Sequence, residues 1–371
     1  DRPGDNASAP RADTATRRDA AGEPVAGRVD PLRIELGFAL VRLAEDDRLL
    51  DRVAAIRAEI GEELGLLAPR VRVRDDLRLG AHEYRIRVRD AVVAGGTLYA
   101  GRLLAVPGEH AAGKLEGREG TDPIFDIPSV WIEPARADRA TRMGYRTVPA
   151  VDVLMAHLGK VIRARAAELL SREQVAGMLS SLEGEHPHLV AEVRRKLSLG
   201  RVQQILRRLL GEAAPIRDLE GILEAATDAA ERTDRIDEIT EQVRSALTGT
   251  LGQHYASSDG RLWCVRLKPE LENAIHAHLH ETSEGPATTL PPALAEGITD
   301  AVAAELTRIR RRGRRPVVLC AAPLRPALRK LIAPADADTA VLAYDEVDRA
   351  SVESAVTVAA GTPRQTHRAE S

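Results

Sequence analysis

The spacing of apolar residues changes several times along the chain, and each change predicts a different kind of element. At 32–36 apolar and polar residues alternate, which predicts a strand with one buried face. At 49–64 apolar residues recur every three or four positions, which predicts an amphipathic helix that ends at Gly65. Alternation returns in "RVRVRDDLRL" and "EYRIRVRDAVVAGG", so residues 30–100 are predicted to fold as β-α-β-β.

The middle of the chain loses this alternation, first to loops and short strands and then to helices. Residues 101–149 are rich in Gly and Pro, which predicts a small inserted subdomain. Helical periodicity dominates 150–249, where Ser171 and Gln174 have the spacing of a capping box. Most of this block is therefore predicted to be an all-helical domain.

Strands and helices alternate again from Leu262 onward. Three runs, "RLWCVRL", "PVVLC" and "TAVLAY", are predicted strands. Between them we predict a helix at 269–281, a loop at 282–292, a long helix that reaches Arg312, and a helix at 323–332. Strands separated by helices predict a small α/β domain with at least partly parallel pairing.

Together these patterns predict a multidomain α+β protein. Residues 1–29 have almost no large apolar side chain and cannot bury enough surface to offset chain entropy, so we expect a disordered linker there. The predicted organisation is a linker at 1–29, an α/β subdomain made of 30–100 with 150–169, an inserted subdomain at 101–149, a helical subdomain at 170–249, a second α/β subdomain at 250–360, and a tail at 361–371.

Two residues are assigned structural roles. Gly37 lies where the alternation of "IELGFAL" shifts phase, which indicates a bulge or the close approach of another backbone segment. Asp218 precedes an apolar helical stripe and is placed to cap that helix with its carboxylate.

Composition narrows the class of protein. The chain has 371 residues, 44% hydrophobic and 29% charged, with a net charge of −3. These values are typical of a globular protein and argue against a polyanion binder as a whole. No apolar run approaches the length of about 20 residues that a bilayer requires.

Cys264 and Cys320 form no CxxC pair, so we expect buried thiols rather than a disulfide or a zinc site. Because the chain begins at Asp1, we expect a fragment or a processed product.

The segment "GEHAAGKL" at 108–115 matches the phosphate-binding loop G-x-x-x-x-G-K-[ST] except at its last position. Ser or Thr there holds Mg²⁺, whereas Leu115 has no oxygen to offer. The loop must also lead into a helix, but Gly117, Gly120 and Pro123 follow instead. A flexible glycine loop is the favoured interpretation, and a nucleotide-dependent enzyme is a distant alternative.

The segment "RIRRRGRRP" holds six arginines between Arg308 and Arg315. Such a cluster can contact the phosphates of nucleic acid or lipid. Cations also gather at the C-terminal end of a helix, where the helix dipole favours them. Because no aromatic residues are interleaved to stack bases, we favour the second interpretation and keep a nucleic-acid binder as an alternative.

The segment "HAHLH" presents His276, His278 and His280, which raises the question of a metal site. On a helix, His276 and His280 share a face but His278 does not, so a solvated helix face is the favoured interpretation. Motifs such as G-x-S-x-G, H-E-x-x-H and G-x-G-x-x-G are absent from the sequence. We therefore predict no catalytic residues, no metal and no cofactor.

The segment "TDPIFDIPSVWIEPA" at 121–135 is an unusual place for aromatic residues, because the chain has only two Phe and two Trp. Trp131 belongs to an alternating strand pattern and is predicted to be core. Phe125 lies between Pro123 and Pro128, in a loop, and loops run over protein surfaces. Phe125 is therefore predicted to be exposed to a partner.

Two long stretches resemble a known family. The helical block from "GYRTVPAVDVLMAHLGKVIRARAAELL" to "APIRDLEGILEAATDAAERTD" and the opening stretch that contains "VRVRDDLRL" and "EYRI" are similar to the export-gate proteins of type III secretion, the FlhA family. The resemblance runs in the same order from Pro31 to Val358, and its motifs are far more specific than those above.

The resemblance implies part of a membrane protein. Family members begin with transmembrane helices in the bacterial inner membrane, and a linker like residues 1–29 joins these to a cytoplasmic part of four subdomains. That part forms a nonameric ring, binds export chaperones that carry cargo, and contacts other export components, including the ATPase complex. The implied role is a docking platform at the cytoplasmic face of the inner membrane, and neither an enzyme nor a nucleic-acid binder.

The resemblance also implies a docking site between the first two subdomains. The Asp and Phe of its "DPxF" segment correspond to Asp122 and Phe125. A threonine that precedes the histidine of an "HL" pair corresponds to Ala156, next to His157, so the hydroxyl is missing here. Either the polar part of the contact is lost, or the partners differ. "DPIF" and "PIRDL" favour flagellar assembly, while "LKPELENAI" followed by "ETSEG" leaves a virulence injectisome as the alternative.

Overall fold

The computed structural model describes residues 29–358, with gaps at 46, 109, 125, 281, 283–284, 337–338 and 348–351. The predicted linker, apart from residue 29, and the predicted tail at 361–371 lie outside the described residues. Within them, helices and several separate sheets alternate, so the predicted α+β fold is confirmed.

The first sheet has four strands in the order β2-β1-β3-β4. The strands are β1 (Leu32–Leu36), β2 (Val71–Asp75), β3 (Glu83–Val88) and β4 (Ala91–Thr97). Strands β1 and β2 pair in parallel, so a crossover must join them, and α1 (Val41–Glu45) and α2 (Asp47–Leu64) provide it. Helix α2 ends where predicted, because Gly65 adopts a φ of 76°.

The segment "EYRIRVRDAVVAGG" forms two strands, where the sequence predicted one. Strands β3 and β4 pair antiparallel, and Arg89 and Asp90 turn the chain between them with φ values of 47° and 70°. Two successive positive φ angles are typical of the tight hairpin turns that match strand twist. The turn was missed because Arg-Asp lacks the glycine that usually marks such a turn.

Gly37 follows β1 at a point where two backbone segments meet. Its N–H donates to the carbonyl of Glu83 at 2.8 Å, and a Cβ atom built on Gly37 would lie 2.1 Å from the carbonyl oxygen of Gly80. Its φ of −68° is open to any residue, so the requirement for glycine comes from this close approach and not from the backbone angles.

The second sheet is antiparallel throughout, in the order β6-β7-β5-β8. Its strands are β5 (Leu103–Pro107), β6 (Arg118–Asp122), β7 (Ile127–Ile132) and β8 (Tyr145–Pro149), with α3 (Ala137–Arg142) before β8. Trp131 on β7 is almost fully buried, as predicted for a core residue. The second sheet supplies Leu104, Val106 and Trp131 to the core that it shares with the first sheet.

Helices follow the second sheet without interruption by strands. They are α4 (Ala150–Ala164), α5 (Ala166–Leu169), α6 (Arg172–Glu183), α7 (Pro187–Lys196), α8 (Leu199–Gly211), α9 (Leu219–Ala230), α10 (Ile236–Ala246) and α11 (Thr248–Tyr255). Ser171 and Gln174 form the predicted capping box at the start of α6. The Asp218 carboxylate accepts the N–H of Gly221 at 3.0 Å, at the start of α9. Because these helices continue the core of the first sheet, the subdomain limits stay a prediction.

The last sheet is parallel, in the order β13-β12-β9-β14. Its strands are β9 (Leu262–Leu267), β12 (Pro316–Cys320), β13 (Val341–Ala343) and β14 (Val352–Val358), connected by α12 (Pro269–Ala277), α13 (Pro292–Arg311) and α14 (Arg325–Ile332). The predicted strands and their parallel pairing are confirmed, while β14 was not predicted. The predicted loop at 282–292 contains a short strand, since β10 (Leu279–His280) pairs with β11 (Ala287–Thr288).

Candidate functional site

The predicted docking residues Asp122 and Phe125 belong to the turn between β6 and β7, which we call the 122–126 turn. Asp122 ends β6, is 3% exposed, and accepts the N–H of Ile124 at its Oδ1 atom, 3.0 Å away. The N–H of Asp126 donates to the Asp122 carbonyl at 2.9 Å. Asp122 therefore shapes the turn from within, whereas Phe125 lies outside the described residues.

The 122–126 turn carries two energetic costs. Asp126 has a φ of 55°, in the left-handed region that residues other than glycine adopt infrequently. The Oδ2 atom of Asp122 is buried and has no hydrogen-bond partner among the described residues, and such a group costs about 1–3 kcal/mol. Costs of this kind collect at functional sites, where the surrounding structure holds them in place.

Helix α4 supplies the other two predicted docking residues. Ala156 is exposed and His157 is buried beside it. The Tyr84 hydroxyl lies 2.6 Å from His157 Nδ1. Burial, helped by the charge of Lys160, lowers the pKa of His157 to about 4, so the imidazole is neutral at pH 7. Burial also raises the pKa of Tyr84, so the contact joins a neutral hydroxyl and a neutral ring.

A single ammonium links the two halves of the site. Lys160 Nζ donates to the carbonyl of Ile124 at 2.8 Å, although the two residues are 36 positions apart. Ala156 lies one helical turn before Lys160, so both residues share a face of α4. The structure therefore sets the turn that begins at Asp122 against the face of α4 that carries Ala156. The docking role of these residues stays a prediction. Nothing in the sequence singled out Tyr84 or Lys160.

Aromatic side chains collect beside β6, although the chain has few of them. The rings of Tyr99 and Trp131 meet edge to face with centroids 5.7 Å apart, and the Arg118 guanidinium lies 5.0 Å from the Tyr99 centroid. Tyr84 and His157 also meet edge to face, at 5.8 Å. The scarcity of aromatics is the signal that could have drawn attention to Tyr84 and Tyr99 as well as Phe125.

The sequence as a whole matches a known family. A model described as the FHIPEP family matches residues 3–351. The chain belongs to the FHIPEP family. It is 33% identical to the flagellar biosynthesis protein FlhA of Bacillus subtilis over 324 residues, which is 86% of this chain and 48% of that protein. It is 32% identical to FlhA of Escherichia coli over 307 residues, which is 82% of this chain and 44% of that protein. The chain thus spans about half the length of the curated relatives it matches.

Solved structures share the fold of this FHIPEP chain. The Chlamydia pneumoniae CdsV protein superposes with a TM-score of 0.77 at 24% identity, covering 90% of this chain and 98% of that one. The nonameric SctV-C of EPEC superposes with a TM-score of 0.69 at 20% identity, covering 90% and 99%. Among the residues that the model describes, no helix is both long and apolar enough to cross a membrane.

The glycine loop at 108–115 is part of the second sheet's own packing in this FHIPEP chain. The N–H of Ala112 donates to the carbonyl of Met143 at 2.9 Å, and the Tyr145 hydroxyl donates to the carbonyl of Gly113 at 3.0 Å. Leu115 is buried against that sheet, and the described residues that follow enter β6 rather than a helix. The helix that a phosphate-binding loop requires is therefore replaced by a strand.

The arginines between 308 and 315 make contacts within the chain. Arg308 pairs with Glu305 at 2.7 Å, one turn earlier on α13. Arg314 and Arg315 lie over the rings of Trp263 and Tyr255, 5.1 and 4.7 Å from the ring centroids. These contacts give the cluster a role in stabilising the C-terminal sheet and its helices.

The three histidines of "HAHLH" do not share a helix, which corrects the predicted helix at 269–281. Helix α12 ends at Ala277, so only His276 is helical, and His280 belongs to β10. His278 Nδ1 lies 2.8 Å from the carbonyl of Ala274, in the geometry of a hydrogen bond that closes the helix end. In the described part of the chain, no group of three metal-binding side chains comes together.

Proposed function

We propose that this chain is the cytoplasmic ring domain of a type III export gate that serves flagellar assembly, and that it docks export chaperones carrying cargo. The observation that carries the proposal is the hydrogen bond between Lys160 and the Ile124 carbonyl, which sets the 122–126 turn against α4 in a chain of the FHIPEP family. Curated relatives at 31–33% identity that are named flagellar FlhA support flagellar assembly over an injectisome.

The chemistry of the site supports binding rather than catalysis. The Asp122 carboxylate is used to shape its own turn, and the imidazole of His157 is neutral and hydrogen-bonded to Tyr84. Ala156 is exposed on α4 next to His157, and in the sequence the aromatic residue Phe125 lies between Ile124 and Asp126. A shallow apolar site with one aromatic anchor is the kind of surface that concentrates binding energy between proteins.

The ring and the membrane attachment extend the proposal to the whole protein. SctV-C, which shares this fold, is nonameric, and CdsV forms a complex with CdsO. We infer that the whole protein to which this chain belongs forms a nonameric ring. We also infer that it has an N-terminal transmembrane region in the inner membrane and binds a component of the ATPase complex. The ring would present one 122–126 turn per subunit to incoming chaperones.

The test is a calorimetric titration of this chain with a purified flagellar chaperone–cargo complex from the same organism. Phe125→Ala should weaken binding at least tenfold, because an aromatic anchor typically contributes about 2 kcal/mol or more. The free energy of unfolding should change by less than about 1 kcal/mol, as for surface changes. Asp122→Ala should also weaken binding, since the turn loses the acceptor for the Ile124 N–H.

Leu67→Ala is the matched control, because Leu67 is an exposed apolar residue in the loop after α2. This control should leave binding unchanged. Equal binding by the Phe125 variant and the wild-type chain would overturn the docking proposal. A loss of several kcal/mol in the free energy of unfolding would instead identify the Phe125 ring as core. To decide between the two systems, the gene is deleted and the secreted proteins are measured. Loss of flagellar cargo supports flagellar assembly, and loss of injectisome cargo supports the alternative.

A further inference from the structure

The bonds at the 122–126 turn divide into two kinds. Those made by Asp122, to the N–H groups of Ile124 and Asp126, lie within the turn and fix its shape. They do not fix where the turn lies relative to α4. Within the described residues, the Lys160–Ile124 bond is the one hydrogen bond that joins the turn to α4.

Lys160 is well suited to hold this position. Its Nζ atom is partly shielded, and at 2.8 Å from a carbonyl it makes a charge-assisted hydrogen bond, which is stronger than a neutral one. The ammonium also lies close enough to His157 to help keep that imidazole neutral. A neutral His157 can accept the Tyr84 hydroxyl at Nδ1, so the ammonium contributes to both contacts of α4 in the site.

We propose that Lys160 is a positioning residue of the docking site. It holds the 122–126 turn, through the Ile124 carbonyl, at the spacing from α4 that a chaperone requires. The inference rests on the docking function proposed above. It assigns to a lysine on α4 the role of setting the distance between α4 and the 122–126 turn.

The first test needs no partner. Lys160→Met keeps most of the length of the side chain but removes the ammonium, while Lys160→Arg keeps a donor. Amide hydrogen exchange at Asp126, whose N–H donates to the Asp122 carbonyl, reports on the turn. We expect exchange about tenfold faster in Lys160→Met, since a charge-assisted bond is lost. Exchange at Val161, on the next residue of α4, should not change.

The second test adds the purified flagellar chaperone–cargo complex. In the folded protein, Lys160→Met should bind it about tenfold more weakly, and Lys160→Arg should restore most of the affinity. A lysine that served only the stability of the fold would lower the melting temperature and leave the affinity of the folded protein unchanged.

Comparison with Phe125→Ala separates the two proposals. If Phe125→Ala weakens binding while Lys160→Met binds normally and exchanges normally at Asp126, the positioning role is wrong and docking stands. If Phe125→Ala binds as the wild type does, the docking function is wrong, and the role of Lys160 falls with it. Faster exchange at Asp126 without a change in affinity also overturns the positioning role.

Discussion

Two junctions in this chain are built from opposite chemistry. At the docking junction, α4 makes a neutral His157–Tyr84 contact to β3, and its Lys160 ammonium donates to the Ile124 carbonyl of the 122–126 turn. Where the helices meet the C-terminal sheet, two buried arginines are paired with glutamates. The same polypeptide therefore uses ion pairs at one junction and avoids them at the other.

The charged junction connects α8 and α10 to the C-terminal sheet and α14. Arg244 is 1% exposed, and its Nε and Nη2 atoms donate to the two carboxylate oxygens of Glu346 at 2.8 and 3.0 Å. Arg325, equally buried, donates to Glu212 at 2.6 Å and to Glu241 at 3.1 Å. Arg244 also lies 3.2 Å from Glu212, so the two ion-pair groups form one network.

The two junctions differ in how much stability is lost when one of their polar contacts is removed. Removing one partner of a buried ion pair leaves an uncompensated charge and costs about 3–5 kcal/mol. Opening the α4 junction loses one hydrogen bond to a charged group, worth about 1.5–3 kcal/mol. The charged junction is therefore the one where a single substitution is expected to cost more stability. The docking junction is the one whose spacing can change at the smaller energetic cost.

The largest effect is expected from Arg325→Met, which tests the charged junction. The change removes the arginine that pairs with Glu241 and one of the two arginines that pair with Glu212, so the free energy of unfolding should fall by about 3–5 kcal/mol. Urea denaturation measures it. Arg312→Met, at an exposed position after α13, is the control and should change stability by less than about 0.5 kcal/mol.

In the folded fraction of Arg325→Met, affinity for the chaperone–cargo complex should equal that of the wild type, because the network lies outside the docking site. A loss of stability no larger than that of the control would contradict this comparison of the two junctions, because the ion-pair network would then not stabilise the fold. A large loss of affinity in folded protein would show that the two junctions are coupled.

A somewhat smaller loss is expected from Gly37→Val, which tests the backbone behind the docking junction. The new side chain would meet the Gly80 carbonyl, and the end of β1 lies in register with Tyr84 of β3. We expect a loss of about 2–4 kcal/mol and weaker binding together, because overpacking forces backbone shifts. Gly177→Val, where no atom lies within 4 Å, should be nearly neutral by urea denaturation. Unchanged stability with lost binding would make Gly37 a contact residue.

The sequence predicted the helices and strands better than the contacts between distant segments of the chain. Periodicity depends on neighbours within one turn or one strand, so α2, the capping box at Ser171 and the parallel strands of the last sheet were predicted. The Arg89–Asp90 hairpin was missed because its turn lacks the usual glycine. Strand β14 was not predicted, although "VESAVTV" lies within the predicted second α/β subdomain at 250–360.

The charged network was not predictable from spacing. Arg244 and Glu346 are 102 positions apart, and Arg325 and Glu212 are 113 apart, so in the sequence each looks like an ordinary surface charge. Lys160 was missed for the same reason. Asp122 and His157 were predicted only through the family resemblance, which carries information about contacts that one sequence cannot show by itself.

A moderate effect of pH is expected from the neutral junction. Folding lowers the pKa of His157 from 6.5 to about 4, so acid favours the unfolded chain, in which this histidine can be protonated. Stability from this group is complete above pH 6.5 and is lost as the pH falls toward 4. We expect a loss of about 1–2 kcal/mol from this group between pH 7.5 and pH 4.5.

The measurement is urea denaturation at pH 7.5 and 4.5. His157→Gln can still accept the Tyr84 hydroxyl but does not titrate, so it should lose about 1–2 kcal/mol less on acidification than the wild type. Some acid sensitivity should persist, because burial also lowers the pKa of His254 to about 4. His188→Gln, at an exposed position, should behave like the wild type. Identical acid losses in all three proteins would contradict a buried neutral His157.

The smallest effect is expected at Ala156, the exposed position on α4 where the family resemblance implies a threonine. Ala156→Thr adds a hydroxyl one helical turn before Lys160, on the face that meets the 122–126 turn. One added hydrogen bond to a partner is worth about 0.5–1.5 kcal/mol, so affinity for the chaperone–cargo complex should rise by about two- to tenfold. Helix propensity predicts a loss of stability of about 0.7 kcal/mol or less.

Ala156→Val is the matched control, because valine has the shape of threonine without its hydroxyl and a similar helix propensity. Calorimetric titration should show a gain for threonine alone. Equal gains for both variants would mean that the partner contacts this position through apolar surface and not through a hydrogen bond. Weaker binding by both would mean that the partner packs against the alanine methyl itself, and that this chain has partners shaped to a smaller residue than the family's threonine.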